Sequence, residues 1–272
     1  NLMGRTRTLE ITQAADLTLT SLADVSAAPN LTALTYKSTA GSLTLSGSGS
    51  NTIPTYETTA ALTLAATGAI TIGQGTNKLA LKVPGLSLST SGAITIGSGA
   101  ELTATGSGAN TISIAGGSVN IAGALTTVAA IPTTVTASAG SLTLASTARL
   151  TGLKGAQTYT ATGSTSDLTQ ASALGNDSLS GAITLTAGRN LSSSAGITTT
   201  GAVTFSAGAG NITTAEELYT TSANVLVDKL GYRVNSAGSF VNASGNTLSG
   251  TEKPVYSGTP ALPSSGGSIR AS

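Results

Sequence analysis

The sequence has no cysteine, no histidine and no tryptophan, and only 8% of its 272 residues are charged. Without cysteine and histidine it lacks disulfides, thiol nucleophiles, imidazole bases and the usual zinc and copper ligand sets. The 12 Lys and Arg residues balance the 11 Asp and Glu residues to a formal net charge of +1, which excludes a strongly basic surface for nucleic acid. No apolar run reaches the roughly 18 residues of a transmembrane helix. The sequence therefore predicts no cofactor, no metal site, no nucleic-acid partner and no membrane span.

Aliphatic residues dominate the apolar content, because hydrophobic residues make up 39% of the chain and aromatic residues only 3%. They recur in a short motif in which glycine or another small residue precedes an apolar-polar-apolar triplet. The motif is found at 41–45, 61–64, 68–73, 92–97, 117–121, 140–144, 181–185 and 201–205. Alternation with a period of two is typical of β-strands. The sequence thus predicts an all-β protein.

The motif returns after twenty-odd residues, for example after 24 from Ile70 to Ile94 and after 19 from Leu43 to Leu62. One such unit cannot bury its aliphatic face, whereas stacked units cover one another at a spacing of about 4.8 Å. We therefore predict a parallel β-helix (β-solenoid) of roughly eleven rungs over residues 1–245, with an antiparallel β-sandwich as the alternative. Residues 246–272 are rich in Pro, Gly and Ser and are interpreted as a C-terminal strap or linker.

Two segments carry a resemblance to a known family. Residues 181–191 (GAITLTAGRNL) and 201–212 (GAVTFSAGAGNI) resemble the repeats of filamentous-haemagglutinin-type exoproteins, which are large bacterial adhesins exported by two-partner secretion. The resemblance implies a right-handed β-helix, a secreted or cell-surface location and a role in adhesion. It transfers no catalytic residue. The family's secretion domain carries Asn-Pro-Asn motifs, which this chain lacks, so the resemblance implies a shaft segment or a shortened relative.

Charged residues at the period of the repeat predict a ladder on an outer face. Lys37, Glu57, Lys78 and Glu101 follow one another at close to that period and alternate in sign. On stacked strands, neighbouring opposite charges stabilise one another by roughly 0.2–1 kcal/mol.

Asparagines predict a second ladder. Asn190, Asn211 and Asn235 also recur at close to the period of the repeat, and each lies near a glycine-bearing turn. Because asparagine tolerates left-handed turn geometry and bonds to its neighbours in a stack, we interpret this ladder as structural.

A threonine column is the third expectation, and it raises an alternative function. The outward threonines expected on the strands are Thr44, Thr63, Thr71, Thr95, Thr103, Thr143, Thr184 and Thr204. A β-solenoid face with two outward threonines per strand can bind ice. Here Ala69, Ala93, Ala182 and Ala202 stand two positions before a threonine and argue against a second column, so ice binding is a less favoured alternative.

The acidic residues are scattered along the sequence, whereas polysaccharide-degrading β-helix enzymes need clustered or paired carboxylates. We therefore expect a non-enzymatic, secreted or cell-surface structural or adhesive protein. Its expected partners are cell-surface or matrix glycans or proteins, or copies of itself. Because the ends of a solenoid are open strand edges, a filament subunit that stacks end to end is the main alternative, and an enzyme is a less favoured one.

Overall fold

A computed structural model describes residues 8–22, 30–47, 54–75, 78–175, 179–214, 219–220, 226–227, 232–233, 240–248, 255–257, 262–263 and 269–271. Within these ranges the secondary structure consists of strands, turns and bends without a helix. It follows that the described part holds no helix long and apolar enough to cross a membrane.

Face 1 is a parallel sheet of nine strands, all of which have five or more residues. Its strands are β1 (Thr8–Gln13), β3 (Ala33–Ser38), β6 (Ala61–Ala66), β9 (Leu86–Thr90), β12 (Ile112–Gly116), β15 (Thr133–Ala137), β17 (Gly155–Ala161), β19 (Ser180–Ala187) and β22 (Val203–Ala207). Ile183 in β19 is in register with Val203 in β22. Similar aliphatic residues therefore stack on one another along this face.

Face 2 is a second parallel sheet of nine shorter strands. They are β2 (Leu17–Leu19), β4 (Leu43–Leu45), β7 (Ile70–Ile72), β10 (Ala93–Ile96), β13 (Ser118–Ile121), β16 (Leu142–Leu144), β18 (Leu168–Gln170), β20 (Leu191–Ser193) and β23 (Ile212–Thr214). Ile94 is in register with Ile70 on one side and with Val119 on the other. The repeat found in the sequence is therefore a contact in space.

Face 3 is less regular. It contains β5 (Thr55–Glu57), β8 (Leu79–Val83), β11 (Ala100–Ala104) and β14 (Ala124–Thr127). Beyond β14 it continues as isolated bridges, including the one from Leu174 to Ile197 in β21 (Ile197–Thr199). Each coil of the chain passes through the faces in turn, and the predicted parallel β-solenoid is confirmed.

The predicted number of rungs is wrong. Faces 1 and 2 hold nine strands each, which corresponds to about eight turns rather than eleven. Some coils are longer than the sequence interval suggests, as between Leu43 and Ile70, which are in register on face 2. The shorter interval from Leu43 to Leu62 joins two faces, because Leu62 belongs to face 1. The right hand of the coil stays a prediction.

The core is a set of aliphatic columns inside the coil. Ile70, Ile94 and Leu142 have no exposed surface, and Val119 between them is 2% exposed. Fully burying a side chain of this size contributes about 1.5–3 kcal/mol relative to leaving it exposed. Because this buried column runs from Leu17 to Leu191, the contribution is repeated along the molecule.

In the later coils the core becomes partly polar. Tyr159 is completely buried, and its hydroxyl donates to Gln157 Oε1 at 2.9 Å. The amide of Gln157 in turn donates to the carbonyl of Leu153 at 3.3 Å. Burial raises the pKa of the Tyr159 hydroxyl, so the phenol is neutral. This buried polar pair is not predicted from the sequence.

The C-terminal part contributes strands of a different kind. β24 (Tyr219–Thr220) pairs antiparallel with β25 (Leu226–Val227) and β26 (Leu262–Pro263). β27 (Ile269–Ala271) pairs in parallel with β21 on face 3. A segment interpreted as a strap thus extends the solenoid by one strand, while the boundary at residue 245 stays a prediction.

Candidate interaction surfaces

Face 2 presents one outward column that runs through all nine strands, because most of these strands have only three residues. The column is polar throughout, and its members are in register from coil to coil. They are Thr18, Thr44, Thr71, Thr95, Asn120, Thr143, Thr169, Ser192 and Thr213. β-Branched threonine suits such a half-exposed strand position.

Face 1 presents two outward columns. The first consists of Glu10, Thr35, Thr63, Ser87, Ser113, Thr134, Thr158, Thr184 and Thr204. The second, two residues further along each strand, consists of Thr12, Lys37, Ala65, Ser89, Ala115, Thr136, Thr160, Thr186 and Ser206. In the last four coils both columns are hydroxyl residues.

The single threonine column expected from the sequence is wrong, because its members are distributed over three faces. Thr44, Thr71, Thr95 and Thr143 lie on face 2, Thr63, Thr184 and Thr204 on face 1, and Thr103 on face 3. The same motif forms strands on both of the long faces. The sequence interval alone therefore does not separate them.

The predicted charged ladder is also wrong, since Lys37, Glu57, Lys78 and Glu101 lie on two different faces. Lys37 belongs to β3 on face 1, where it is in register with Ala65. Glu57 and Glu101 belong to face 3, and Lys78 directly precedes β8 there. The ladder was predicted from nearly equal spacing in the sequence. Because the coils differ in length, residues at that spacing are not in register.

Face 3 nevertheless pairs opposite charges. Glu57 is in register with Lys82 on the next coil. Arg149 Nη2 lies 2.8 Å from Glu101 Oε1 and spans the small residue Ala124 between them. Both side chains of this ion pair are about half exposed, so it contributes only about 0–1 kcal/mol.

Asn190 and Asn211 are brought together where the chain enters face 2. The backbone N–H of Asn211 donates to Asn190 Oδ1 at 3.1 Å. Asn235, the third member of the predicted ladder, lies outside the described residues. The bond joins consecutive coils, as a structural ladder requires.

Other coils have the same kind of bond, from a backbone N–H to a side-chain oxygen of the previous coil, at the corner where the chain enters face 2. The N–H of Asn190 donates to Asp167 Oδ1 at 3.1 Å, and the N–H of Asp167 donates to Ser141 Oγ at 3.3 Å. Near the first coil, the N–H of Ser42 donates to Asp16 Oδ1 at 2.7 Å. We call these residues the corner ladder: Asp16, Ser42, Ser141, Asp167, Asn190 and Asn211. It satisfies backbone donors at a turn, where strand pairing does not reach them.

An arginine reinforces this ladder at Asp167. Arg189 Nε and Nη2 donate to the two carboxylate oxygens of Asp167 at 2.8 and 2.5 Å, which is the bidentate geometry that guanidinium favours. The guanidinium holds the pKa of Asp167 well below its usual range, helped by the bonds from Asn190. Asp167 is therefore ionised at neutral pH.

An open groove of about 360 Å³ lies on the outside of face 2. Its polar lining comes from Thr95, Asn120, Ser118, Ser141 and Thr143. The lining offers hydroxyl and amide groups, which donate and accept hydrogen bonds, and it carries no charge. Such a surface suits a neutral, hydroxyl-rich ligand.

The described ranges contain no group of three or more His, Cys, Asp or Glu residues that could hold a metal ion. Fold and surfaces together define the class as a parallel β-solenoid with polar outer faces. Comparison with protein-family models, with curated proteins and with solved structures finds no match. The resemblance to filamentous-haemagglutinin-type repeats therefore depends on the repeats alone.

Proposed function

We propose that this chain is a non-enzymatic shaft segment of an extracellular or cell-surface adhesin of the filamentous-haemagglutinin type. The observation that carries the proposal is the continuous parallel pairing of nine strands on each of two faces. Eight turns at about 4.8 Å give a rod about 40 Å long. Such a rod separates two attachment points by a fixed distance.

The outer surface supports the adhesive part of the proposal. The groove on face 2 combines Thr95, Asn120 and Thr143 on three consecutive coils. Neighbouring coils repeat similar hydroxyl groups, so a chain-like ligand finds equivalent contacts along the axis. Neutral glycans of a cell surface or matrix match this chemistry.

An adhesion assay tests the proposal. Beads coated with the purified chain are expected to adhere to surfaces carrying immobilised neutral mucin glycans, freed of sialic acid and sulfate, or fibronectin more strongly than beads coated with serum albumin. Asn120→Lys places a charged side chain in the groove and is expected to reduce adhesion. Ser87→Lys, on face 1, is the matched control and should leave it unchanged. Adhesion equal to that of albumin on both surfaces would contradict the proposal.

End-to-end assembly is a second candidate, favoured by the last coil. Ile212 is in register with the fully buried Leu191, yet it is 47% exposed. Among the described strands, β22 and β23 are paired on one side only. An open edge above an exposed aliphatic core residue favours the addition of another strand. A head-to-tail contact of this kind builds filaments rather than closed dimers.

Negative-stain microscopy separates the two candidates. If copies stack, the purified chain forms long uniform fibres, and Ile212→Lys shortens or abolishes them. Thr213→Lys, which changes the outward residue next to it, is the control and should leave fibres intact. If the unmodified protein forms only isolated rods about 40 Å long, end-to-end assembly is rejected and the adhesin shaft segment remains as the proposed function.

A further inference from the structure

The last four coils of face 1 carry a regular grid of hydroxyl groups. We call it the threonine grid: Thr134, Thr136, Thr158, Thr160, Thr184, Thr186, Thr204 and Ser206. It consists of two outward residues on each of β15, β17, β19 and β22. Ala182 and Ala202, which argued against a second column in the sequence, lie two positions before the first threonine column. The second column of the grid lies two positions after the first.

The grid repeats in two directions at nearly constant intervals. Successive coils are about 4.8 Å apart, and residues i and i+2 of a strand are separated by about 6.6 Å. The irregularity of β17 lies between Gly155 and Gln157, before the first threonine of that strand. From Thr158 onward the register is constant.

The hydroxyls of the grid point away from protein partners. None of the eight makes a hydrogen bond to another residue in the described part of the chain, unlike the hydroxyl of Thr162 nearby, which donates to the carbonyl of Ser138 at 3.1 Å. Because threonine is stiff about χ1, the array is ordered in advance, and binding loses little side-chain entropy.

The eight residues of the grid carry no ionisable side chain. Exposed Ala156, Ala182 and Ala202 border the grid on one side. The charged outward residues in the strands of face 1 are Glu10 and Lys37, which lie in the first two coils of the molecule and not in the grid. A charged partner would be bound without compensating charge, so the complementary partner is neutral. It must also repeat at the two spacings of the grid.

We infer that the threonine grid binds the surface of ice. The two spacings approximate the repeat of water oxygens on a prism face of ice, and each threonine offers a hydroxyl beside a methyl group. A crystalline polysaccharide is a weaker match, because sugar rings are usually held by aromatic side chains. Tyr159 and Phe205, the aromatic residues of these strands, lie at inward positions. This inference goes beyond the proposed adhesive function and stands independently of it.

Adsorption to a single ice crystal tests the inference. Fluorescently labelled chain is frozen slowly onto an ice crystal, with labelled serum albumin as the negative standard. The unmodified chain is expected to coat the ice, and Thr160→Lys or Thr186→Lys, at the centre of the grid, to lose this adsorption. Thr169→Lys, on the face 2 strand of the same coil as Thr160, is the matched control and should adsorb like the unmodified chain. Circular dichroism establishes that each variant is folded.

Three results would overturn the inference. The first is exclusion of the unmodified chain from ice to the same extent as albumin. The second is adsorption that survives both grid variants or that is lost equally in Thr169→Lys. The third is binding to microcrystalline cellulose, but not to ice, with sensitivity to Thr160→Lys, which would assign the grid to a polysaccharide lattice.

Discussion

Asp167 is the residue at which the corner ladder meets an ion pair. Its carboxylate accepts two bonds from Arg189 and two from Asn190 on the next coil. One side chain therefore joins two coils at a turn. The pKa of Asp167 is lowered in the folded protein, first by the bond from Arg189.

Asp167→Asn is expected to make unfolding less dependent on pH. The folded-state pKa of Asp167 lies below the roughly 3.9 of an unfolded aspartate. The stabilisation is therefore fully present above about pH 4 and is lost as the pH falls through the folded-state pKa. The melting temperature of the variant should be lower than that of the unmodified chain at pH 7, and the difference should shrink at pH 3.

Arg189→Gln removes the same ion pair from the other side and should give the same pH profile. Thermal denaturation followed by circular dichroism measures both variants. An equal deficit at pH 7 and pH 3 would show that the charge of Asp167 does not stabilise the ladder.

Each strand combines inward aliphatic residues that bind the coils together with outward residues that determine the surface. On β10, Ile94 has no exposed surface and stacks between Ile70 and Val119, while its neighbour Thr95 is outward and half buried. Stability and surface chemistry are therefore carried by alternate positions. Substitutions at the two kinds of position should differ sharply in effect.

Ile94→Ala is expected to reduce the free energy of unfolding by about 2–5 kcal/mol, because it leaves a cavity in a closely packed column. Thr95→Ala, on the next residue, should change it by no more than about 0.5 kcal/mol. Equilibrium unfolding in urea measures both. Similar effects of the two substitutions would contradict the assignment of inward and outward positions.

Strands are more predictable from the sequence than faces. The alternation in 92–97 or 181–185 identifies a strand, but it is the same on face 1 and face 2, so the interval from Leu43 to Leu62 does not mark a full coil. Coils of unequal length on face 2 then displace the predicted charged ladder. The pair Asn190 and Asn211 is predictable because a single short coil separates them.

The candidate surfaces are less predictable for the same reason. The second column of the grid consists of the residues that follow each apolar-Thr-apolar triplet, such as Thr186. The grid is recognised only when β15, β17, β19 and β22 are aligned as neighbouring strands of one face. The buried pair Gln157 and Tyr159 gives no signal, since both residues usually lie at least partly at a surface.

At the scale of the whole molecule, the coils are stacked along a single axis. Each coil contacts its neighbours above and below, so stability accumulates along the axis rather than around one centre. The proposed shaft, the threonine grid and the edge strands β22 and β23, which no other described strand covers, all depend on this stacking. A continuous register means that equivalent residues are separated in proportion to the number of coils between them.

Distances between spin labels on face 2 measure this proportionality most directly. The chain has no cysteine, so pairs of cysteine substitutions carry labels without interference. Labels at Thr44 and Thr143 are four coils apart, and those at Thr18 and Thr213 are eight coils apart. At about 4.8 Å per coil, stacking predicts separations of about 19 Å and about 38 Å. Separations that do not double from the first pair to the second would contradict the solenoid.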